Sequence, residues 1–237
     1  MLFDIHSSID IHFGINNNNF IYSLDGQWLE CKKNERDLGV IVDNKLKFRE
    51  QCLEARNKAN RILGFINRNV SYKSKYVIRS LYNSYVRPHI EYCNQIWRPH
   101  FKHDINMLES VQRRATKLIS GFQNKSYNER LKLLDLFPIE YRFLRGDLIE
   151  TYKVLNGIDR VNVDNFFKIT TTSRTRGHSF KLEKPRCNLD IRKYCFSNRV
   201  VDIWNSLPEH VVYCESLETF KIRLDDHLKS RVSEYFS

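Results

Sequence analysis

The apolar residues of this chain repeat with one period before Phe48 and with another after it. Up to residue 48 they tend to alternate with polar ones, as in Ile9-Asp10-Ile11-His12-Phe13 and Phe20-Ile21-Tyr22-Ser23-Leu24. Trp28-Leu29-Glu30 and Leu38-Gly39-Val40-Ile41-Val42 add two more short runs. Successive side chains of a strand point to opposite faces, so a period of two predicts strands. Gly14 with Asn16-Asn17-Asn18-Asn19, Asp25-Gly26 and Asp43-Asn44 are turn signals between them. The expectation is a small antiparallel sheet, too small to stand alone. From Arg49 the period becomes 3.6. At about 100° per residue, Cys52, Ala55, Ala59, Ile62, Leu63 and Ile66 share one sector. Arg49, Arg56, Asn57, Asn60, Arg61 and Arg68 fall on the other side, with Leu53 as a misfit. This is an amphipathic helix with a basic, amide-rich face.

More helices follow. Tyr72 to Val86 is one, expected to stop before Pro88. Ile90 to Trp97 is a short helix or turn. Asp104 is read as the N-cap of a helix whose stripe is Met107, Leu108, Val111, Ala115, Leu118 and Ile119, stopped by Gly121. Arg113 and Lys117 lie on its outer side. Ser126-x-x-Glu129 is a capping box for a helix to Leu134. Pro138 opens a helix from Ile139 to Leu155, which Gly157 ends. Beyond residue 160, Asn165 to Ser173 reads as loop or strand, Arg174 to His178 as a basic turn and Phe180 to Leu182 as extended. Phe196 to Trp204 reads as helix, and Ser216 starts a last helix through Leu228. The fold class is therefore α+β, mainly α, divided into 1–48, 49–160 and 161–237.

The 237 residues, 41% hydrophobic, include 15 Phe, 12 Tyr and 3 Trp, enough to build a core, which excludes wholesale disorder. No apolar run approaches the ~18 residues of a membrane span. Met1 to Ile11 holds Asp4 and Asp10 and no basic residue, so no signal peptide is expected. The net charge is +11, unevenly spread. Residues 1–48 carry 5 basic and 7 acidic groups, residues 49–160 carry 21 and 11, and residues 161–237 carry 13 and 10. A concentrated excess points to one basic face, for which nucleic acid is the commonest partner, against the blander reading of a solvated helix surface. The cysteines (Cys31, Cys52, Cys93, Cys187, Cys195 and Cys214) form no C-x-x-C pair. They are expected as reduced thiols of an intracellular protein, in nucleus or cytoplasm.

Few residues offer chemistry. His100-x-x-His103, His89 with Cys93, and the loose set His178, Cys187, Cys195, His210 and Cys214 match no paired zinc pattern, so no metal site is expected. No nucleophile elbow and no phosphate-cradling glycine loop occurs. Asp225-Asp226 is the only adjacent carboxylate pair, in a helical pattern with Phe220, Leu224 and Leu228. Neighbours on a helix point about 100° apart, so the two should diverge rather than share a metal.

A series of short motifs runs along the chain. They are Asp37-Leu38-Gly39-Val40-Ile41-Val42-Asp43, Leu46-Lys47-Phe48, Lys58-Ala59-Asn60-Arg61-Ile62-Leu63-Gly64, Leu81-Tyr82, Val86-Arg87-Pro88-His89-Ile90-Glu91-Tyr92 and Trp97-x-Pro99. Leu108-Glu109-x-Val111-Gln112-Arg113-Arg114-Ala115-Thr116-Lys117, Tyr127-x-x-Arg130-Leu131, Arg145-Gly146-Asp147-Leu148-Ile149 and Tyr152-Lys153 continue it. Thr175-Arg176-Gly177-His178, Phe196-Ser197-x-Arg199-Val200-Val201-x-x-Trp204-Asn205-x-Leu207-Pro208 and Phe220-Lys221-x-x-Leu224-Asp225 complete it in order. Together these motifs resemble the C-terminal part of the reverse transcriptases of non-LTR (LINE-type, jockey-like) retrotransposons.

The resemblance implies the end of a palm, a thumb and a following helical region of an RNA-directed DNA polymerase, a nucleotidyl transferase. That family holds Mg²⁺ on aspartates of an Ala-Asp-Asp hairpin, which lies upstream of the matched segment. No catalytic residue and no cofactor is therefore expected here. Met1-Leu2-Phe3 and His12-Phe13-Gly14 resemble the following palm strand, where an expected lysine is replaced by Ser7. Leu38, Gly39 and Val40 occupy the primer-grip position. The implied partners are an RNA template and a DNA primer, contacted by Arg49, Arg56, Asn57, Asn60, Arg61, Arg68, Arg113 and Lys117. The chain is expected to bind template and primer without polymerising. The alternative is a host-adopted or relic structural or interaction protein that binds no nucleic acid. Oligomeric state is left open.

Overall fold

The computed structural model describes residues 8–14, 17–170 and 177–235, with the backbone alone for 231–235. The expected palm strand at Met1-Leu2-Phe3, Ser7, and Arg174 to Arg176 of the basic turn lie outside the described residues. Helices make up 54% and strands 8%, so the chain is α+β and mainly α.

The expected single antiparallel sheet is instead three separate two-stranded pairs. Strands β1 (Ile9–Asp10) and β4 (Glu30–Cys31) pair in parallel. Strands β2 (Ser23–Leu24) and β3 (Gln27–Trp28) form a hairpin across Asp25-Gly26, whose φ values of 47° and 78° suit a tight two-residue turn. Strands β5 (Asn34–Asp37) and β6 (Val40–Asp43) form a second hairpin. Alternation tells which face a side chain takes but not which strand is the neighbour. Leu38-Gly39, expected within a strand, are the turn residues of this second hairpin, with φ of 45° and 85°. Val40 is buried beside the first helix, and the Ile41 N–H donates to Gln51 Oε1 at 2.8 Å. The Asp43 carboxylate then accepts the N–H groups of Lys45, Lys47 and Phe48, which turns the chain into that helix.

Helix α1 (Arg49–Asn69) buries the stripe read from the sequence, Cys52, Ala55, Ala59, Leu63 and Ile66. Burial pushes the Cys52 thiol up to about 12. Helix α2 (Lys75–Leu81) starts behind Ser74, whose Oγ accepts the Val77 N–H, and not at Tyr72. The helical path does not end before Pro88. A wide π turn (Tyr82–Val86) leads into α3 (Arg87–Glu91), which contains Pro88. In an unbroken α-helix the proline ring would meet the carbonyl four residues back, that of Ser84. The wide turn, with the Arg87 N–H on the Tyr82 carbonyl, moves that carbonyl aside. Helices α4 (Asn94–Trp97) and α5 (Lys102–Lys117) follow. Phe101 rather than Asp104 caps α5. Asp104 lies buried in its first turn, where the helix dipole favours a carboxylate. Helix α6 (Tyr127–Leu134) has the expected capping box, and α7 (Ile139–Leu155) starts behind Pro138. Short helices α8 (Asp190–Lys193), α9 (Phe196–Arg199), α10 (Val201–Asn205) and α11 (Glu209–Val212) precede α12 (Leu217–Tyr235). Ile169 and Leu182 form a lone antiparallel bridge.

Two apolar cores result. The first gathers α1, the π turn, α3 and α5 around Tyr82, Trp97, Leu108 and Val111. The second gathers Trp204, Val211, Phe220 and Leu224. Helix α7 serves both, with Ile139 and Phe143 in the first and Leu148, Tyr152 and Val154 in the second. The change of core thus falls inside a continuous helix.

A polar network crosses the first core. Glu109 is buried and accepts the Ile139 N–H at 2.7 Å, the Tyr127 hydroxyl and the Gln112 amide. Gln112 also accepts from the Tyr82 hydroxyl at 2.8 Å. Burial outweighs these donors and holds the Glu109 carboxyl above its ordinary 4.5. The fold therefore favours the protonated acid. That contribution is whole below about pH 4.5 and is lost as pH rises through the elevated value. Glu109→Gln, which imitates the protonated form, is expected to gain stability over the parent between pH 4 and pH 8, read as the difference in urea midpoints. A variant that falls behind as pH rises would mean that the donors, not burial, dominate.

Candidate nucleic-acid interface

Helices α1 and α5 pack against each other, and the structure divides the basic face of α1 in two. Arg49, Arg56 and Asn60 lie toward the seam with α5. Arg49 pairs with Asp104 at 3.6 Å, and Asn60 accepts from Arg114 at 3.1 Å. Asn57, Arg61 and Arg68, all exposed, share an outward ridge with Gly64. Arg56 and Asn60 are half-buried. On α5, Arg113 lies over the Tyr127 ring at 4.9 Å, while Arg114 and Lys117 are exposed. The Lys73 carbonyl accepts from Ser120, and Lys73 Nζ donates to Asn67 at 2.7 Å. The α1–α2 connection is thereby tied to the ends of α1 and α5.

Acidic residues are missing from this surface. Residues 55–69 of α1 and 110–128 from α5 onward contain none. Among the described residues, no carboxylate lies within ion-pair distance of Arg61, Arg68, Arg113, Arg114 or Lys117. Four half-buried arginines behave oppositely, and the buried Arg130 donates to the Ser126 and Arg113 carbonyls instead. Arg98 and Arg199 share Asp147, Arg142 forks onto Glu91, and Arg145 forks onto Asp225. Arg114 was not singled out in the sequence. It follows Arg113 directly and reaches the seam only because α1 lies there. Lys73 was missed for the same reason.

The β5–β6 hairpin, which the resemblance would make a primer grip, has one face toward solvent and one toward the core. Leu38 is 84% exposed at the tip, whereas Val40 is buried and supports the fold. The Tyr92 hydroxyl donates to the Leu38 carbonyl at 2.9 Å, and Arg36 links the Gly39 carbonyl to Glu54.

The other chemical candidates are dispersed. Asp225 is held by Arg145, whereas Asp226 is exposed, in line with divergence on α12. His100 stacks on Tyr194 at 4.1 Å, and His103 meets Asp104 at 3.2 Å. His178 is buried with Nε2 at 3.1 Å from the Trp204 carbonyl, and burial lowers its pKa. Cys187, Cys195 and Cys214 each point to a nearby backbone carbonyl. The donors that do gather are Asp10, His12 and Cys31, all within 4.8 Å of one another. The parallel β1–β4 register places Asp10 opposite Cys31, a pairing that sequence spacing does not reveal.

No helix of the described residues is long and apolar enough to cross a membrane. No family model, curated protein or solved structure matches this chain.

Proposed function

We propose that this chain is the thumb-containing part of a non-LTR-type reverse transcriptase, working as a nucleic-acid-binding element that does not polymerise by itself. Helices α1 and α5 would track an RNA–DNA heteroduplex through its phosphates. The observation that carries the reading is the acid-free outer surface of Arg61, Arg68, Arg114 and Lys117, in contrast to the half-buried Arg98, Arg142, Arg145 and Arg199, which carboxylates hold. Backbone tracking needs cations without base-edge readers. The Mg²⁺ of the resembled family finds no fitting set among the described residues. Asp225 is engaged by Arg145, and Asp10-His12-Cys31 offers one carboxylate beside nitrogen and sulfur, not the oxygen shell Mg²⁺ takes. The reduced thiols and a nucleic-acid partner agree with work inside the cell, in nucleus or cytoplasm.

The test is anisotropy with a labelled RNA–DNA duplex across a salt series. Three to five phosphate contacts would give a slope of log K against log salt of about −3 to −4.5. Arg61→Ala with Arg68→Ala should weaken binding and flatten the slope by about one to two units. An unchanged slope and affinity would instead favour the second reading, an interaction protein without nucleic-acid binding. The exposed Ile21, Trp28 and Leu38 speak for that alternative.

A further inference from the structure

Of the eight glycines, six have positive φ: Gly14, Gly26, Gly39, Gly121, Gly157 and Gly177. The other two lie inside helices, where glycine weakens the helix relative to alanine. Gly146 of α7 has an internal reason. A Cβ there would stand 3.2 Å from the Asn94 side chain. Gly64 of α1 has none, since its Cβ would meet only Arg68 Nη1 at 3.7 Å, an ordinary contact. Nothing among the described residues requires the bare backbone at Gly64. It lies on the outward ridge, between Arg61 one turn before and Arg68 one turn after, about 10 Å apart along the axis. A helix surface stripped of its side chain and flanked by two unpaired guanidiniums lets a polyanion backbone come close.

The next residue adds a second, independent observation. Phe65 is 61% exposed on a helix that buries its other apolar side chains wholly or in part. Tyr72 and Tyr76, past the end of α1, are more exposed still. Lys73 lies between them, bound to Asn67. A duplex keeps its base faces inside its own stack, so it has no use for such rings. An unpaired strand presents base faces that stack on aromatic side chains.

We infer that the α1–α2 corner is a seat for an unpaired nucleic-acid strand. Its sugar–phosphate backbone lies against Gly64 between Arg61 and Arg68, and a base stacks on Phe65. The inference rests on the nucleic-acid reading above and adds the class of strand. The experiment uses the full chain with two labelled probes, a 12-nucleotide oligouridylate and a 12-base-pair RNA–DNA duplex. Phe65→Ala should weaken binding of the single strand about 5- to 100-fold and leave the duplex within about twofold, with Phe65→Trp restoring it. Gly64→Ala should melt higher than the parent, because alanine favours the helix, yet bind the single strand several-fold more weakly. Arg61→Ala with Arg68→Ala should weaken both probes. If that double variant loses affinity while Phe65→Ala and Gly64→Ala bind oligouridylate as the parent does, the seat is overturned and the phosphate-tracking reading stands. If the arginine variant binds both probes as the parent does, the wider reading falls and the seat with it. Equal losses on both probes with a lowered melting temperature for Phe65→Ala would make that ring structural and would also overturn the seat.

Discussion

Asp147→Ala is expected to cost about 3–5 kcal/mol of folding stability, as removing one partner of a buried ion pair does. Asp147 is fully buried on α7, in the stretch where one core gives way to the other. It accepts from Arg98 at 2.8 Å and from two nitrogens of Arg199, at 2.9 and 2.8 Å. Arg199 also donates to the carbonyls of Asn94, Gln95 and Tyr194. One carboxylate therefore ties the region after α3 to α9, across a sequence gap of about a hundred residues. Without it two largely buried guanidiniums lose their only counter-charge among the described residues. Asp147→Asn keeps the shape but not the charge and should fall in the same range. For a chain of this size the melting temperature should drop by about 6–20 °C, at about 2–4 °C per kcal/mol. Lys168→Ala, which breaks the exposed pair with Glu183, serves as the contrast and should leave the melting temperature close to the parent's. An Asp147→Ala variant as mild as Lys168→Ala would show that the junction is not what joins the two cores.

Trp204→Ala is expected to cost a further class of stability, about 3–5 kcal/mol, through the cavity it leaves. The indole is 1% exposed, lies 6.1 Å from the Phe220 ring, and donates its N–H to the Phe180 carbonyl at 2.8 Å. Its own carbonyl meets His178, and the His178 ring sits edge-on to the indole. The segment 177–182 is thus hooked onto α10 through one residue and its neighbour Asn205, which bonds both the N–H and the carbonyl of Leu182. The variant should be cut by trypsin after Lys181 at lower urea than is needed to unfold the first core, read by gel against circular dichroism. Simultaneous loss of both signals at the parent's midpoint would refute this.

Much of the helical part was legible from the chain. The stripe of α1, the Ser126–Glu129 capping box, and the Pro138 start and Gly157 end of α7 each follow from local rules. Local rules also misled at particular places. Pro88 signalled a helix end because a proline in an α-helix meets the carbonyl four residues back. The π turn before it removes that conflict, and no single-residue rule foresees it. Asp104 reads as a cap from its type alone. Its burial against Arg49 depends on α1 lying alongside. The candidate site shows the same division. Arg61 and Arg68 could be placed outward from spacing alone, whereas Arg114 and Lys73 joined the surface only through Asn60, Asn67 and Ser120 of other segments.

What the sequence by itself determined is the class, the order and phasing of the main helices, and the location of the excess charge, because each depends on neighbours within a few residues. What only the tertiary structure decided is partnership. Which strands pair, which arginines are neutralised inside, and which remain unpaired on the ridge are set by contacts between residues tens to a hundred positions apart. Asp147 with Arg98 and Arg199 is the plainest case. Its charge is visible in the chain, but its burial, and hence its energetic weight, exists only once α7 and α9 have met. Burial lowers the local dielectric and turns a surface charge into a structural one.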